Sequence, residues 1–301
     1  MDSSTFLQDN KPKATIHSSY KEWKKPKWQR WRQSTCRLVA LGKRHVADVF
    51  HRHEWKPLCW GILPILWWLI IYEISAAIPA EYRPRIHVRL LSNIEEILLG
   101  GRRNLFYLPH EALSERATLA KDIFACIAYS LHALLPWVMF FYLCCFRSWT
   151  HAAHFCWTFG WLNIVAVVSH FFLPTAAPWY IKEYGLLDAH YNVPGSAAGL
   201  IRIDKALGFP VFESLYKRNK VVFGSFPSLH VAWPSLIALY EPFPRLLGGI
   251  VPWLYVVWVG WAALYLEHHY LVDWIGGCLY AYSVFCYFQG QLYRKDCRNV
   301  A

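Results

Sequence analysis

Six stretches of the chain are apolar for long enough to be read as membrane-crossing helices. They lie at about 58–80, 123–146, 152–173, 221–240, 246–266 and 271–289. A helix needs roughly 20 apolar residues to cross the hydrocarbon of a bilayer. Pro227 and Pro234 interrupt the fourth stretch, which membrane helices tolerate where neighbouring helices pack against them. The pattern predicts an all-α polytopic membrane protein, with about six transmembrane helices in one bundle.

The composition agrees with a membrane protein. Of the 301 residues, 55% are hydrophobic and only 17% are charged, which is too apolar for an ordinary soluble domain. Cysteines fall mostly in or beside the apolar stretches, where they act as small apolar residues, so no disulfide framework is predicted. The first 40 residues lack the apolar core of a cleaved signal peptide, and we expect the first span to direct insertion.

Basic residues are concentrated before the first apolar stretch. The net charge is +11, and six Lys and Arg residues between positions 21 and 32 alternate with Trp23, Trp28 and Trp31. Two interpretations stay open: a segment that binds an anionic cytosolic leaflet with its indoles at headgroup depth, and a disordered basic tail. Basic residues that flank membrane spans usually set the orientation of the protein in the membrane. This role accounts for the positive charge, so we do not expect nucleic acid as a partner.

Two short motifs each place a histidine at the start of an apolar stretch. Residues 224–230 read Gly-Ser-Phe-Pro-Ser-Leu-His and residues 268–273 read His-His-Tyr-Leu-Val-Asp. Four residues separate His269 from Asp273, so on a helix the carboxylate can orient the imidazole as a nucleophile. Ser228 and the first free N–H groups of the next helix can bind an anion while His230 protonates a leaving oxygen. Together the motifs predict phosphoryl transfer.

Candidate phosphate-binding cations lie in the longest polar interruption, residues 174–227. They are Arg202, Lys217, Arg218 and Lys220. Arg grips phosphate oxygens with a planar fork, but exposed loops carry charge for solubility as well, and both interpretations stay open. We expect this loop to cover the candidate site.

These residues resemble the type 2 phosphatidic acid phosphatase and haloperoxidase superfamily, and within it the fungal inositol phosphorylceramide synthase family. The resemblance covers roughly residues 160–290. It implies a six-helix membrane enzyme, without metal or other cofactor, that works through a phosphohistidine. His269 would attack phosphorus, Asp273 would orient it and His230 would protonate the departing alcohol. The implied donor is phosphatidylinositol and the implied acceptor is ceramide, on the lumenal side of the Golgi.

The chain departs from the wider superfamily at two points. No clear copy of a Lys-x6-Arg-Pro signature exists, and Ala262 and Ala263 stand where a Ser-Arg pair precedes the second histidine. Their absence favours the synthase subgroup over simple lipid phosphatases. Phosphate would then be held by other cations, for which the four loop cations named above are the candidates.

The predicted organisation has three parts: a cytosolic segment 1–57, a transmembrane catalytic domain 58–290 and a cytosolic tail 291–301. Six crossings from a cytosolic N-terminus place both motifs on the opposite, lumenal face, provided that 221–240 crosses fully. The segment between the first two stretches is also basic, so the positive-inside rule supports this orientation only in part. Within it an apolar stripe with Ile97 and Leu98 predicts an interfacial helix at the bundle edge.

Three alternatives stay open. A lipid phosphate phosphatase would use the same histidines and aspartate with water as the acceptor. A haem protein would use His132, His154 and His170, although the last two lie near opposite ends of one span. A zinc hydrolase would use His268 with the second motif, yet adjacent histidines point in different helical directions. A regulatory membrane subunit is also kept open as a partner.

Overall fold

The structure is a computed structural model that describes residues 55–99, 109–240 and 249–300, without the side chains of residue 76 and residues 290–300. The chain divides into two units, residues 1–53 and 54–301. All described residues lie in the second unit. The basic segment with its three tryptophans lies outside the described residues.

The described residues form α-helices, two 3-10 turns and isolated bridges, which confirms the predicted all-α class. The helices are α1 Lys56–Ala77, α2 Leu90–Leu98, α3 Pro109–Ser114, α4 Leu119–Leu131, α5 Leu135–Phe146, α6 Trp149–Phe172, α7 Pro178–Tyr184, α8 Ile201–Leu207, α9 Val211–Lys217, α10 Leu229–Leu239, α11 Ile250–Tyr265 and α12 Leu271–Val300. The 3-10 turns are Ala80–Tyr82 and Ala198–Leu200.

Three helices, α1, α6 and α12, are long and apolar enough to cross a membrane, and the bent pair of α4 and α5 makes a fourth candidate. The chain is therefore an integral membrane protein. Helices α10 and α11 are apolar but only 11 and 16 residues long. An 11-residue helix spans about 17 Å, short of the roughly 30 Å of hydrocarbon. The count of six spans stays a prediction.

Helices α1 and α6 pack with their backbones close together. A Cβ atom added at Gly160 would lie 2.6 Å from the backbone of Pro64, and one added at Gly61 would meet the carbonyl oxygen of Ala153. Small residues allow such an approach between membrane helices, where van der Waals packing drives association. This pair forms one wall of the bundle.

The second apolar stretch is broken rather than straight. Helices α4 and α5 meet at an angle of 47°. Pro136 stands in the first turn of α5, where it lacks an N–H to continue the helix of α4. Near the bend, the Tyr255 hydroxyl donates a hydrogen bond to the Ala128 carbonyl at 2.7 Å. The His132 ring hydrogen-bonds the Tyr129 carbonyl. The bend places both Tyr129 and His132 beside the candidate site.

Three segments that are distant in sequence meet at Thr175. Thr175 forms isolated parallel bridges with His87 and with Gly224. The Thr175 hydroxyl also accepts a hydrogen bond from the Phe226 N–H at 3.1 Å. The loop that carries the first motif is therefore fixed on the chain that follows α6.

The predicted stripe between the first two spans forms α2. Ile97 and Leu98 of the apolar stripe are exposed, whereas Glu95 is 1% exposed. The buried carboxylate accepts the N–H of Leu271, the first residue of α12, at 2.6 Å. Helix α2 therefore does more than cover the edge of the bundle, because it caps the helix that follows the second motif.

Candidate active site

The structure brings the two motif histidines into direct contact. His230 is the second residue of α10, and His269 lies in the turn just before α12. His230 Nδ1 and His269 Nε2 are 3.0 Å apart, and His269 Nδ1 lies 3.3 Å from Asp273 Oδ2. A carboxylate only accepts, so His269 Nδ1 carries the proton and Nε2 carries the lone pair. That lone pair is the one a nucleophile needs.

Asp273 is fully buried and held by several donors. Its Oδ2 accepts the Ser225 hydroxyl at 2.6 Å and the Tyr270 N–H at 2.9 Å. Its backbone carbonyl accepts the Ser228 N–H at 3.1 Å. The aspartate therefore joins the two motifs twice, through Ser225 and through Ser228, besides orienting His269.

The turn that carries His269 is fixed on its N-terminal side by Glu267. This residue has a φ of +62°, a left-handed conformation that is strained for a residue with a side chain. The Glu267 carbonyl accepts the Trp179 N–H at 3.0 Å, and its carboxylate binds Lys182 at 2.5 Å. Such contacts hold the backbone in a conformation that it would otherwise leave.

Two glycines on α12 allow the motifs to meet. Gly276 faces the ring of Phe226, and a Cβ at Gly277 would lie 2.5 Å from the Ser228 carbonyl oxygen. A side chain at Gly277 would separate α12 from the start of α10. The short distance between the histidines depends on this close approach.

Aromatic rings surround His230 and His268. The His230 ring stacks on Tyr129 at 4.0 Å, and the His132 ring lies 4.4 Å from it, both measured between ring centroids. The Tyr216 hydroxyl donates a hydrogen bond to the Tyr129 hydroxyl at 3.1 Å. The Tyr129 hydroxyl in turn lies 3.3 Å from His230 Nδ1. Tyr216 also stacks on His268 at 4.7 Å. Sequence reasoning missed both tyrosines, because they lie in segments with no motif.

The histidines face a pocket of about 80 Å³. Its lining includes Tyr129, Ser225, His230, His268 and His269, and no Lys or Arg is among the described residues that line it. Ser228, predicted to bind phosphate, is fully buried behind them, and its hydroxyl has no protein partner in the described part of the chain. The start of α10 also offers N–H groups without a helical acceptor.

The predicted phosphate-binding cations make other contacts. Arg202 binds the buried Asp122 through Nε at 2.9 Å and Nη2 at 2.8 Å. Lys217 pairs with Glu213 on α9 at 2.7 Å. Lys220 pairs with Glu73, and Arg218 is exposed; none of the four lines the pocket. Their role in phosphate binding stays a prediction.

Burial shifts the pKa of two residues that line the pocket, His268 and Tyr216. Burial lowers the pKa of His268 to about 3, so its imidazole is neutral at pH 7. Burial raises the pKa of the Tyr216 hydroxyl, because it disfavours the charged phenolate. Both groups are therefore uncharged near neutral pH.

The histidines of the haem alternative do not converge on one point. His170 Nε2 hydrogen-bonds the Pro227 carbonyl at 3.0 Å, whereas His154 contacts the Tyr240 hydroxyl at 2.7 Å. Across residues 55–99, 109–240 and 249–300, no group of three or more His, Cys, Asp and Glu side chains could hold a metal ion. His170 instead supports the loop before His230.

A family model of the PAP2 superfamily matches residues 103–287, which is more than half of the chain. This region contains both motifs and every residue of the pocket. The fold and the paired histidines thus define a membrane protein of the PAP2 class. No solved structure is significantly similar to the chain.

Curated relatives narrow the family. The chain is 37% identical over 228 residues to the inositol phosphorylceramide synthase catalytic subunit of Schizosaccharomyces pombe, covering 75% of this chain and 52% of that protein. It is 36% identical to the corresponding subunit of Saccharomyces cerevisiae, over 75% and 55% of the two chains. It is also 30% identical to the phosphoinositol dihydroceramide synthase of Bacteroides thetaiotaomicron, over 72% of each.

The chain belongs to the PAP2 superfamily and, within it, to the family of these inositol phosphorylceramide synthases, as the motifs predicted. It spans about half the length of the fungal relatives.

Proposed function

We propose that the protein transfers a phosphorylated headgroup from one lipid to another. The single observation that carries this proposal is the contact at 3.0 Å between His269 Nε2 and His230 Nδ1, with Asp273 behind His269. A nucleophile with a free lone pair and a second imidazole beside it are the two groups that phosphoryl transfer through a covalent intermediate requires. The roles of the three residues are the ones that the motifs predicted.

In the first half-reaction, His269 Nε2 forms a bond to phosphorus while the bond from phosphorus to the lipid oxygen breaks. His230 gives its proton to that oxygen, and the lipid alcohol leaves. In the second half-reaction, His230 takes the proton from the acceptor hydroxyl, whose oxygen attacks phosphorus and releases His269. Asp273 stabilises the imidazolium of His269 through Oδ2 in both steps.

Substrate binding must separate the two rings. An attacked phosphorus lies about 3 to 3.5 Å from the nucleophile, and the leaving oxygen lies about 2.8 Å from its proton donor. With phosphorus and its leaving oxygen between them, the two ring nitrogens are about 6 to 7 Å apart. The unpartnered Ser228 hydroxyl and the first N–H groups of α10 would bind the phosphate oxygens there.

The substrates we propose are phosphatidylinositol as donor and ceramide as acceptor, which give inositol phosphorylceramide and diacylglycerol. The names of the relatives support this choice. Two of them are named as catalytic subunits, which supports a partner subunit in the membrane. We further propose a Golgi location, with the site on the lumenal face and both termini in the cytosol.

Purified protein in liposomes with inositol-labelled phosphatidylinositol and ceramide tests the activity. We expect a labelled sphingolipid and equimolar diacylglycerol. Release of labelled inositol phosphate without the sphingolipid would identify a hydrolase with water as acceptor, and no turnover of phosphatidylinositol would refute the proposed transfer. Full activity after exhaustive chelation is expected.

Variants test the residue roles. His269→Ala and Asp273→Asn should reduce kcat by at least about 100-fold, whereas His190→Ala, an exposed loop histidine, should not. His230→Ala should be equally inactive with a lipid leaving group but should regain its first half-reaction with a nitrophenyl ester, whose leaving group needs no proton. An inactive His230→Ala with both donors would remove His230 from the acid role.

Accessibility tests the proposed orientation. A glycosylation acceptor inserted near exposed Leu187 should be modified in cells, and one added after Ala301 should not. The opposite pattern would reverse the orientation.

A further inference from the structure

His268 stands beside the proposed nucleophile but has no part in the mechanism above. The residue is 5% exposed and lines the same pocket as His230 and His269. One side of its ring interacts with the backbone carbonyl of Ala197. Its Nε2 atom is buried and, within the described part of the chain, has no hydrogen-bond partner.

The contact with Ala197 determines which ring nitrogen carries the proton. A carbonyl oxygen only accepts, so the nitrogen that faces it is the donor. The ring is neutral at pH 7 because burial lowers the pKa of His268 to about 3. A neutral imidazole has one donor and one acceptor, so Nε2 carries the lone pair.

The ring is held in place and cannot turn to find another donor. Tyr216 stacks on His268 at 4.7 Å and Tyr129 lies at 5.2 Å, both within 22° of parallel. The backbone next to Ala197 is also fixed, since the Gly199 N–H donates to the Leu266 carbonyl at 3.1 Å. A buried acceptor without a partner is costly, and a ligand in the pocket that brings a donor removes that cost.

We propose that His268 Nε2 accepts a hydrogen bond from a hydroxyl group of the substrate and makes the site select a hydroxylated lipid. This inference rests on the proposed function. The lone pair would repel phosphate oxygens, so His268 is a specificity residue rather than a phosphate ligand. The hydroxyl belongs either to the donor headgroup, such as a polyol ring, or to the acceptor beside its reacting hydroxyl.

Two matched variants separate the acceptor from the ring. His268→Phe keeps the stacking between Tyr216 and Tyr129 and removes the lone pair, whereas His268→Gln places an amide group near the position of Nε2. With phosphatidylinositol and ceramide, we expect kcat/KM of the Phe variant to fall by about 10-fold or more, and the Gln variant to recover most of it.

Substrates without the hydroxyl identify its source. If the headgroup provides it, the Phe variant and the wild type should turn over phosphatidylethanol, whose headgroup has no hydroxyl, at equal rates. If the acceptor provides it, the two proteins should be equal with 3-deoxyceramide instead. An equal fall with all substrates and no recovery in the Gln variant would overturn the proposal, because the ring would then be structural.

The readout is the rate of headgroup release. A wild type that releases inositol phosphate but makes no sphingolipid therefore refutes the proposed transfer and still tests His268 on the donor side. Should the Phe variant not fold, His268→Asn replaces it, since its amide lies near Nδ1 and offers nothing at the position of Nε2. Equal kcat/KM of the Asn and Gln variants with phosphatidylinositol and ceramide would then overturn the proposal.

Discussion

Gly277→Ala adds a single methyl group at the contact between α12 and the start of α10. The new Cβ would lie 2.5 Å from the Ser228 carbonyl oxygen and 3.3 Å from the Ala232 nitrogen, while ordinary contact begins at 3.4 Å. Both neighbours are backbone atoms, so no side chain can rotate out of the way. The start of α10 must therefore move away from α12 by about 0.9 Å.

Such a movement acts directly on the candidate site. It lengthens the bond of 3.1 Å between the Ser228 N–H and the Asp273 carbonyl, and it moves His230 relative to His269. A misplacement of about 1 Å costs roughly 100-fold in rate, and overpacking costs about 1 to 3 kcal/mol of stability. We expect kcat to fall by about 100-fold in a protein that still folds.

The measurement is headgroup release by purified protein in liposomes, together with a thermal unfolding curve. Ser283→Thr is the matched control, because it adds one methyl group at an exposed position of the same helix. A Gly277→Ala protein with the kcat of wild type would refute the reasoning, since the two motifs would then not depend on this close contact.

Three further changes test the surroundings of the site. Arg202→Met should lower the melting temperature, because it leaves Asp122 buried without its cation. The double variant with Asp122→Asn should regain the melting temperature of wild type. A raised KM of Arg202→Met at unchanged stability would instead support phosphate binding. Glu95→Ala removes the cap of α12 and should cost about 1 to 3 kcal/mol in denaturant unfolding; no loss would exclude the capping role. Ser225→Ala removes one donor from Asp273 and should lower kcat about 10-fold without changing KM, whereas unchanged kcat would show that the Tyr270 N–H suffices.

The all-α class and the family could be predicted because they depend on local patterns. Apolar runs predict helices, and each motif consists of a few consecutive residues that include its histidine. Pro136 is visible in the sequence, but the break that it introduces into the second stretch depends on neighbours that accept a bent helix. In the fourth apolar stretch, 221–240, the helix begins only at Leu229, because the residues before it form the loop of the first motif.

The surroundings of the site could not be predicted, because they depend on distant packing. Tyr129 is 101 residues from His230, and Glu95 is 176 residues from Leu271. Nothing in the local sequence of Glu95 indicates that it is buried. The contact between the Arg202 guanidinium and Asp122 also joins residues 80 positions apart, and nothing in the local sequence indicates it.

The attachment of the first motif to Asp273 has a consequence for biosynthesis. Asp273 lies on α12, the last described helix to leave the ribosome, while Thr175 and Glu95 come from much earlier parts of the chain. The aspartate that contacts His269 and the glycines that admit Ser228 are thus synthesised after the first motif. A partly synthesised chain in the membrane therefore carries His230 without the partner that the proposed reaction requires.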